Sequence, residues 1–253
     1  MNMNRSVFAV VAACGLLAAC QTVDRGTFGS FQRSLNNTSH GYTVVEDPTG
    51  TAPTAMVERF EVRPGDCSRN EGWDDCKKDR ERSELSEQRK TTGAGQEWWY
   101  GWSLYIPDDY VNVYPAKVAL GQFHQDGSHV IWMFKNHDGG YHLHDMVPDF
   151  TRRQHELIPA AEMRGRWHRI EVHARWSRDD DGFFKVWADG VQKVDYAGKT
   201  MTARAVYFKY GLYRTAVSRY KFSKSVDEVP TQIVYYANVK RSRTREGLAA
   251  ATP

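Results

Sequence analysis

Three short stretches carry side chains that a protein core has no use for. "YFKYGLYR", residues 207 to 214, reads as a strand with Tyr207, Lys209, Gly211 and Tyr213 on one face and Phe208, Tyr210, Leu212 and Arg214 on the other. By the same alternation "RSEL" places Arg82 and Glu84 together, and "QFH" places Gln122 and His124 together with Phe123 opposite. If the three strands are neighbours, one sheet face presents a guanidinium, a carboxylate, an amide, an imidazole, an ammonium and two phenols. Imidazole and phenol are groups that move protons. The guanidinium fork and the amide are charged and neutral donors suited to holding an anionic group.

The elements that must position these residues are strands. "EWWYGWSLYIP" alternates aromatic residues, "KVALGQFHQ" follows a Tyr-Pro turn, and "HVIWMFK" joins "YHLHDMV" through the turn-like "NHDGG". "RWHRIEVHARW" and "FFKVWADG" flank "SRDDDG", and "TQIVYYANVK" closes the series. No 12-residue apolar stripe of helical period and no internal repeat is present. The 253 residues, 41% hydrophobic and 13% aromatic, suffice for one all-β domain. Many strands at short spacing predict a sandwich or jelly roll. A formal charge of +3, with basic residues scattered, argues against nucleic acid as a partner and allows an anionic substrate.

The N-terminus reads as a targeting segment. One positive residue, Arg5, precedes an apolar run from Val7 to Ala19 that is too short for a permanent span. Residues 1–19 are therefore expected to be a signal peptide. Leu17-Ala18-Ala19-Cys20 resembles the lipobox of bacterial lipoproteins, which implies a lipidated Cys20 and a membrane anchor in the cell envelope. Gln21, not aspartate, follows the cysteine, which favours the outer membrane; an ordinary secretory signal is the alternative. Residues 20–40 then read as lipidated cysteine and flexible tether, 41–241 as the domain, and 242–253 as a frayed tail. In an exported chain Cys67 and Cys76 are the remaining thiols, and a disulfide between them is expected, with a two-cysteine zinc site as the alternative.

R-S-E-L, Q-x-H and Y-F-K-x-G-x-Y, in that order, resemble the three motif strands of the alginate lyases with a concanavalin-like jelly roll. "GRWHRIEVHARWSRDDDGFFKVWADG" and "YFKYGLYR" look closer to the heparin lyase I and glucuronan lyase type of polysaccharide lyase. The resemblance implies an all-β, concanavalin-like jelly roll of two antiparallel sheets, one concave and substrate-binding. It implies a lyase that removes the C5 proton of a uronate and expels the glycosidic oxygen at C4. Deprotonation beside an ionised carboxylate builds a dianionic enolate, so that carboxylate must be neutralised by placed donors. Arg82, a charged bidentate donor, and Gln122, a neutral one beside it, can do this. The resemblance implies that Tyr213 donates to the leaving oxygen and serves as base in syn elimination, while His124 is the base in anti elimination or supports the neutralised carboxylate. Glu84, Lys209, Tyr207 and Arg214 are candidates for orienting the sugar, or for plain cross-strand pairing. Gly211 leaves room for a sugar beside Tyr213. Where the alginate enzymes carry Asn-Gln after the last tyrosine, this chain has Arg214-Thr215, which favours glucuronan- or heparin-like substrates.

His137, His142 and His144 could hold a metal but more often such residues line a groove, and no metal or cofactor is expected; a calcium bound through backbone oxygens leaves no motif. Of Trp98, Trp99, Trp102, Trp132, Trp167, Trp176 and Trp187, one or two are expected at substrate and the rest in the core. Arg152, Arg153, Arg164 and Arg166 read as a solvated rim or as contacts to distal anionic groups. A glycoside hydrolase on the same fold and a carbohydrate-binding protein without activity are the alternatives. The hydrolase needs a carboxylate pair, and no E-x-D-x-x-E strand is present.

Overall fold

The computed structural model describes residues 22–147 and 153–249. The expected signal peptide, Cys20 and Arg152 lie outside the described residues. Two large antiparallel sheets dominate. In one, the strands run in the order Val23–Asp24, Ser30–Arg33, Arg80–Glu87, Ala205–Thr215, Lys117–Gln125, Val130–His137, Gly140–Asp145 and Arg153–Ile158, with Thr92–Gly93 also paired to Ala205–Thr215. In the other the order is Val191–Ala197, Phe183–Ala188, Trp167–Arg175, Glu97–Tyr105, Gln232–Ser242, Met56–Val62 and Tyr42–Glu46. The fold is the expected β-jelly roll. Each strand read from alternation lies within a residue or two of its expected place.

Alternation explains the core. Phe123, Phe208 and Tyr210 from the first sheet and Phe60, Tyr100, Trp102 and Tyr236 from the second are buried between the sheets. Across the sheets these rings meet edge-on or tilted, as at Tyr100 and Phe123, centroids 4.9 Å apart, the geometry that aromatic quadrupoles favour. Trp102, Trp132 and Trp176 belong to this interior.

Two boundaries differ from expectation. Residues 22–40 do not form a tether: Ser30–Arg33 adds a strand beside Arg80–Glu87, and Phe28 and Phe31 are buried. A polar average conceals two aromatic anchors three residues apart, each large enough to hold the segment down. The C-terminal tail is likewise ordered through Ala249, where the Glu246–Ala249 turn of helix buries Leu248 and Arg245 pairs with Glu171 at 2.7 Å.

Candidate active site

The three motif strands are adjacent, with Ala205–Thr215 between Arg80–Glu87 and Lys117–Gln125. Register sets Tyr213 opposite Arg82, Lys209 opposite Gln122, and Tyr207 opposite His124. Arg82, Gln122, His124, Tyr207, Lys209 and Tyr213 line one cleft of about 680 Å³, in the range of small-molecule and oligosaccharide sites. The next strand of the same sheet, Val130–His137, paired to Lys117–Gln125, contributes Met133 and Lys135 to its wall.

Glu84 organises the floor. Its Oε1 accepts from Gln122 Nε2 at 2.6 Å, and its Oε2 from Lys209 Nζ at 2.8 Å and Arg82 Nη1 at 3.3 Å. Lys209 is buried, and burial lowers its pKa. A buried ammonium is tolerated here because a carboxylate answers it directly.

Arg82 differs from its expected role. Its Nε and Nη2 form a fork on the carboxylate of Asp75, at 2.5 and 2.7 Å, while Nη1 is shared by Glu84 and Ser34. The bidentate face expected to receive a substrate carboxylate is thus already occupied by a fully buried aspartate. What Arg82 offers the cleft is its planar cation 4.1 Å from the Tyr213 ring centroid.

His124 Nδ1 lies 2.9 Å from the backbone oxygen of Gln125. A proton on Nδ1 satisfies that contact and leaves a lone pair on Nε2, the form of a general base. Burial lowers its pKa below the usual 6.5, so the ring is neutral at neutral pH. Burial raises the Tyr213 phenol above its usual value, opposed by Arg82 and Arg80, so Tyr213 carries its proton. Tyr207 is pushed up to about 12, again by burial, and its ring centroid sits 5.2 Å from that of His124.

Two expected features fall elsewhere. Arg214 is on the opposite strand face, fully buried, with Nε on Glu81 at 2.5 Å and Nη1 on the carbonyl of Pro230; it braces the sheet from behind and does not reach the cleft. Gly211, at φ 125°, is needed for packing and not for a sugar: a Cβ there would lie 2.4 Å from the Ser83 carbonyl oxygen and 2.7 Å from Phe60 on the core side.

Cys67 and Cys76 are joined, their Cα atoms 5.1 Å apart. The loop they close supplies residues for which the sequence carries no pattern. Trp73 lines the cleft, with its indole N–H on Asp75 at 2.8 Å, whereas none of the seven tryptophans expected as core or sugar platforms does so. Arg80 also lines the cleft; it shares the alternation of Arg82 and Glu84, a signal present in R-E-R-S-E. Leu35, from the expected tether, is a further wall residue. His137, His142 and His144 cluster beyond the cleft with ring centroids 5.5 and 5.8 Å apart. Among the described residues no group of three or more His, Cys, Asp or Glu is placed to hold a metal ion.

The family model described as polysaccharide lyase matches residues 23–240. No curated protein matches the sequence. Among solved structures, an endo-β-1,4-glucuronan lyase from the fungus Trichoderma reesei is similar at 18% identity with a TM-score of 0.57, over 81% of this chain and 89% of that one. A family 7 alginate lyase is similar at 18% identity and TM-score 0.57, over 81% and 83% of the two chains. An alginate lyase from Pseudomonas aeruginosa gives 17% identity and TM-score 0.51, over 88% and 96%. These likenesses show the fold.

Proposed function

This chain belongs to the polysaccharide lyase family, and from that premise we propose that it cleaves a uronate-containing polymer by β-elimination, leaving a 4,5-unsaturated uronate end. The observation that carries the reading is the charge of the cleft: Arg80, Arg82, Lys117, Lys135 and Lys209 line it, and the carboxylates that balance Arg82 and Lys209, Asp75 and Glu84, lie beneath them, so among the described lining residues there is no Asp or Glu. Cationic walls fit a polyanion. The same observation weighs against a glycoside hydrolase, which needs two carboxylates at the scissile bond.

In this mechanism the Gln122 amide, held by Glu84, and the surrounding cations take up the charge of the substrate carboxylate. His124 Nε2 accepts the C5 proton, and the electrons of that C–H bond form the C4=C5 double bond. The C4–O bond breaks with its electrons kept on oxygen, which takes the proton of Tyr213. Solvent then removes the proton from His124 and restores that of Tyr213.

A β-1,4-linked glucuronan is the substrate we place first, supported by the similarity to the fungal glucuronan lyase and by Thr215, which lines the cleft where the alginate motif carries glutamine. Its C5 hydrogen and C4 oxygen share one ring face, so the elimination is syn, with His124 as base and Tyr213 as acid both acting from the one sheet that carries them. Heparin-like and alginate-like polymers follow. We also propose that Cys20 is lipidated and holds the enzyme at the outer membrane, supported by the Leu17-Ala18-Ala19-Cys20 lipobox; labelling with a radioactive fatty acid, lost in Cys20→Ser, tests it.

The experiment is ultraviolet absorbance of the unsaturated uronate while the protein is mixed in turn with glucuronan, alginate, heparin, heparan sulfate and hyaluronan. A rise with one polymer, abolished in folded His124→Ala and Tyr213→Phe, is the expected result. Full activity in either variant removes that residue from the mechanism, and binding without turnover on every polymer overturns the enzyme in favour of a carbohydrate-binding protein.

A further inference from the structure

Two guanidinium groups flank Tyr213, and they differ in how their charge is spent. Arg82 is matched by Asp75, and Lys209 by Glu84, so these four groups cancel. Arg80 has no carboxylate within ion-pair distance among the described residues. Its Nη1 donates to the Tyr213 phenol oxygen at 2.5 Å, and its guanidinium carbon lies 4.7 Å from the centroid of the Trp73 indole. The other charged groups around the phenol are the Arg82 guanidinium over its ring, Lys209 Nζ at 5.9 Å from the ring centroid, and Asp75 and Glu84 behind Arg82. Arg80 is therefore a cation left unmatched, directed at one oxygen and steadied by an aromatic face.

We propose that Arg80 is a positioning residue for Tyr213: it holds the phenol oxygen as acceptor, leaves the phenol proton for the departing glycosidic oxygen, and carries the charge of the phenolate once that proton has gone. A phenol oxygen that accepts from a cation points its own O–H elsewhere, and here the open direction is the cleft. When the O–H bond breaks and the proton moves to the leaving oxygen, the phenolate forms against a donor already in place, so no group has to reorganise. Trp73 keeps the guanidinium plane in register and the disulfide-closed loop keeps Trp73 in place. This role rests on the assignment of Tyr213 as proton donor.

The test separates the two. Protein labelled with ¹³C at the phenolic carbon of tyrosine is titrated without polysaccharide, the Tyr213 signal being assigned by its loss in Tyr213→Phe. With Arg80→Met the signal should begin to move about one pH unit or more higher than in the parent, as loss of a hydrogen-bonded cation demands, and with Arg80→Lys in between. On the substrate identified above, kcat should fall about tenfold or more in Arg80→Met while KM changes by less than about threefold, with partial recovery in Arg80→Lys. Coincident titrations in the parent and both variants would overturn the proposal. A shifted titration with kcat unchanged supports the contact between Arg80 and the phenol and refutes Tyr213 as the proton donor.

Discussion

Removing the Asp75 carboxylate is the most searching perturbation of this site that does not touch the reacting groups. Asp75 is fully buried and receives two hydrogen bonds from Arg82 and one from the Trp73 indole. In Asp75→Ala the Arg82 guanidinium, only 5% exposed, loses its bidentate partner and keeps only the 3.3 Å contacts of Nη1 to Glu84 and Ser34. Stripping one member from a buried ion pair costs about 3–5 kcal/mol, because the remaining charge stays desolvated. For a domain of this size that corresponds to a fall in Tm of about 6–20 °C. Arg82 would also draw on Glu84, in competition with Gln122 and Lys209, so kcat/KM should fall about tenfold. Thermal unfolding followed by circular dichroism, with turnover assayed below the transition, measures both. Asp75→Asn, which keeps an acceptor, should lie between. The double variant Asp75→Ala, Arg82→Met should lose less than the sum of the single losses, since no orphan charge remains. A cost for Asp75→Ala under about 1 kcal/mol would mean that water reaches Arg82 as it reaches a surface pair, and the reasoning would fail.

Other outcomes follow from the same geometry. With His124 neutral only above a pKa depressed by burial, and Tyr213 protonated up to a raised one, the acid limb of kcat/KM should lie below pH 6.5 and the alkaline limb above pH 10. A profile with either limb between these values would remove that residue from its role. Gly211→Ala places a Cβ against the Ser83 carbonyl and Phe60 at a φ that L-residues avoid, and should cost about 3 kcal/mol in chemical denaturation; a loss within about 0.5 kcal/mol would contradict the close packing described. Phe31→Ala should cost about 3–5 kcal/mol by the same measurement, whereas a tether residue would cost nothing.

The site is legible in the sequence in part, and the division has a physical origin. Period-two alternation identifies which side chains of a strand share a face, so Arg82 groups with Glu84, Gln122 with His124, and Tyr207 with Lys209 and Tyr213 on the sequence alone. What alternation does not carry is the far end of each side chain. The fork of Arg82 looks free for substrate because its true partner, Asp75, sits in "CSRNEGWDDC", a polar loop whose sequence announces a staple and nothing about its direction. Trp73 is invisible for the same reason: a loop has no period from which to infer a face. Arg80 is readable, two positions before Arg82 on the same strand, but it lies just outside the R-S-E-L motif that draws attention to Arg82. The opposite error arises at Arg214, whose charge suggests a ligand although its parity puts it with Phe208, Tyr210 and Leu212. At residues 22–40 composition misleads, because Phe28 and Phe31 weigh little in an average and much in a core.

The short covalent loop has a meaning beyond stability. Cys76 directly follows Asp75, and the closed loop also presents Trp73, so the bond that fixes this loop fixes the carboxylate that balances Arg82 and the ring that steadies Arg80. In a reducing compartment that bond does not form. Without it the loop that carries Asp75 and Trp73 loses its covalent closure, and with it the fixed partners of Arg82 and Arg80. Under the export proposed above, oxidation acts as a maturation step that follows departure from the compartment in which the chain is made.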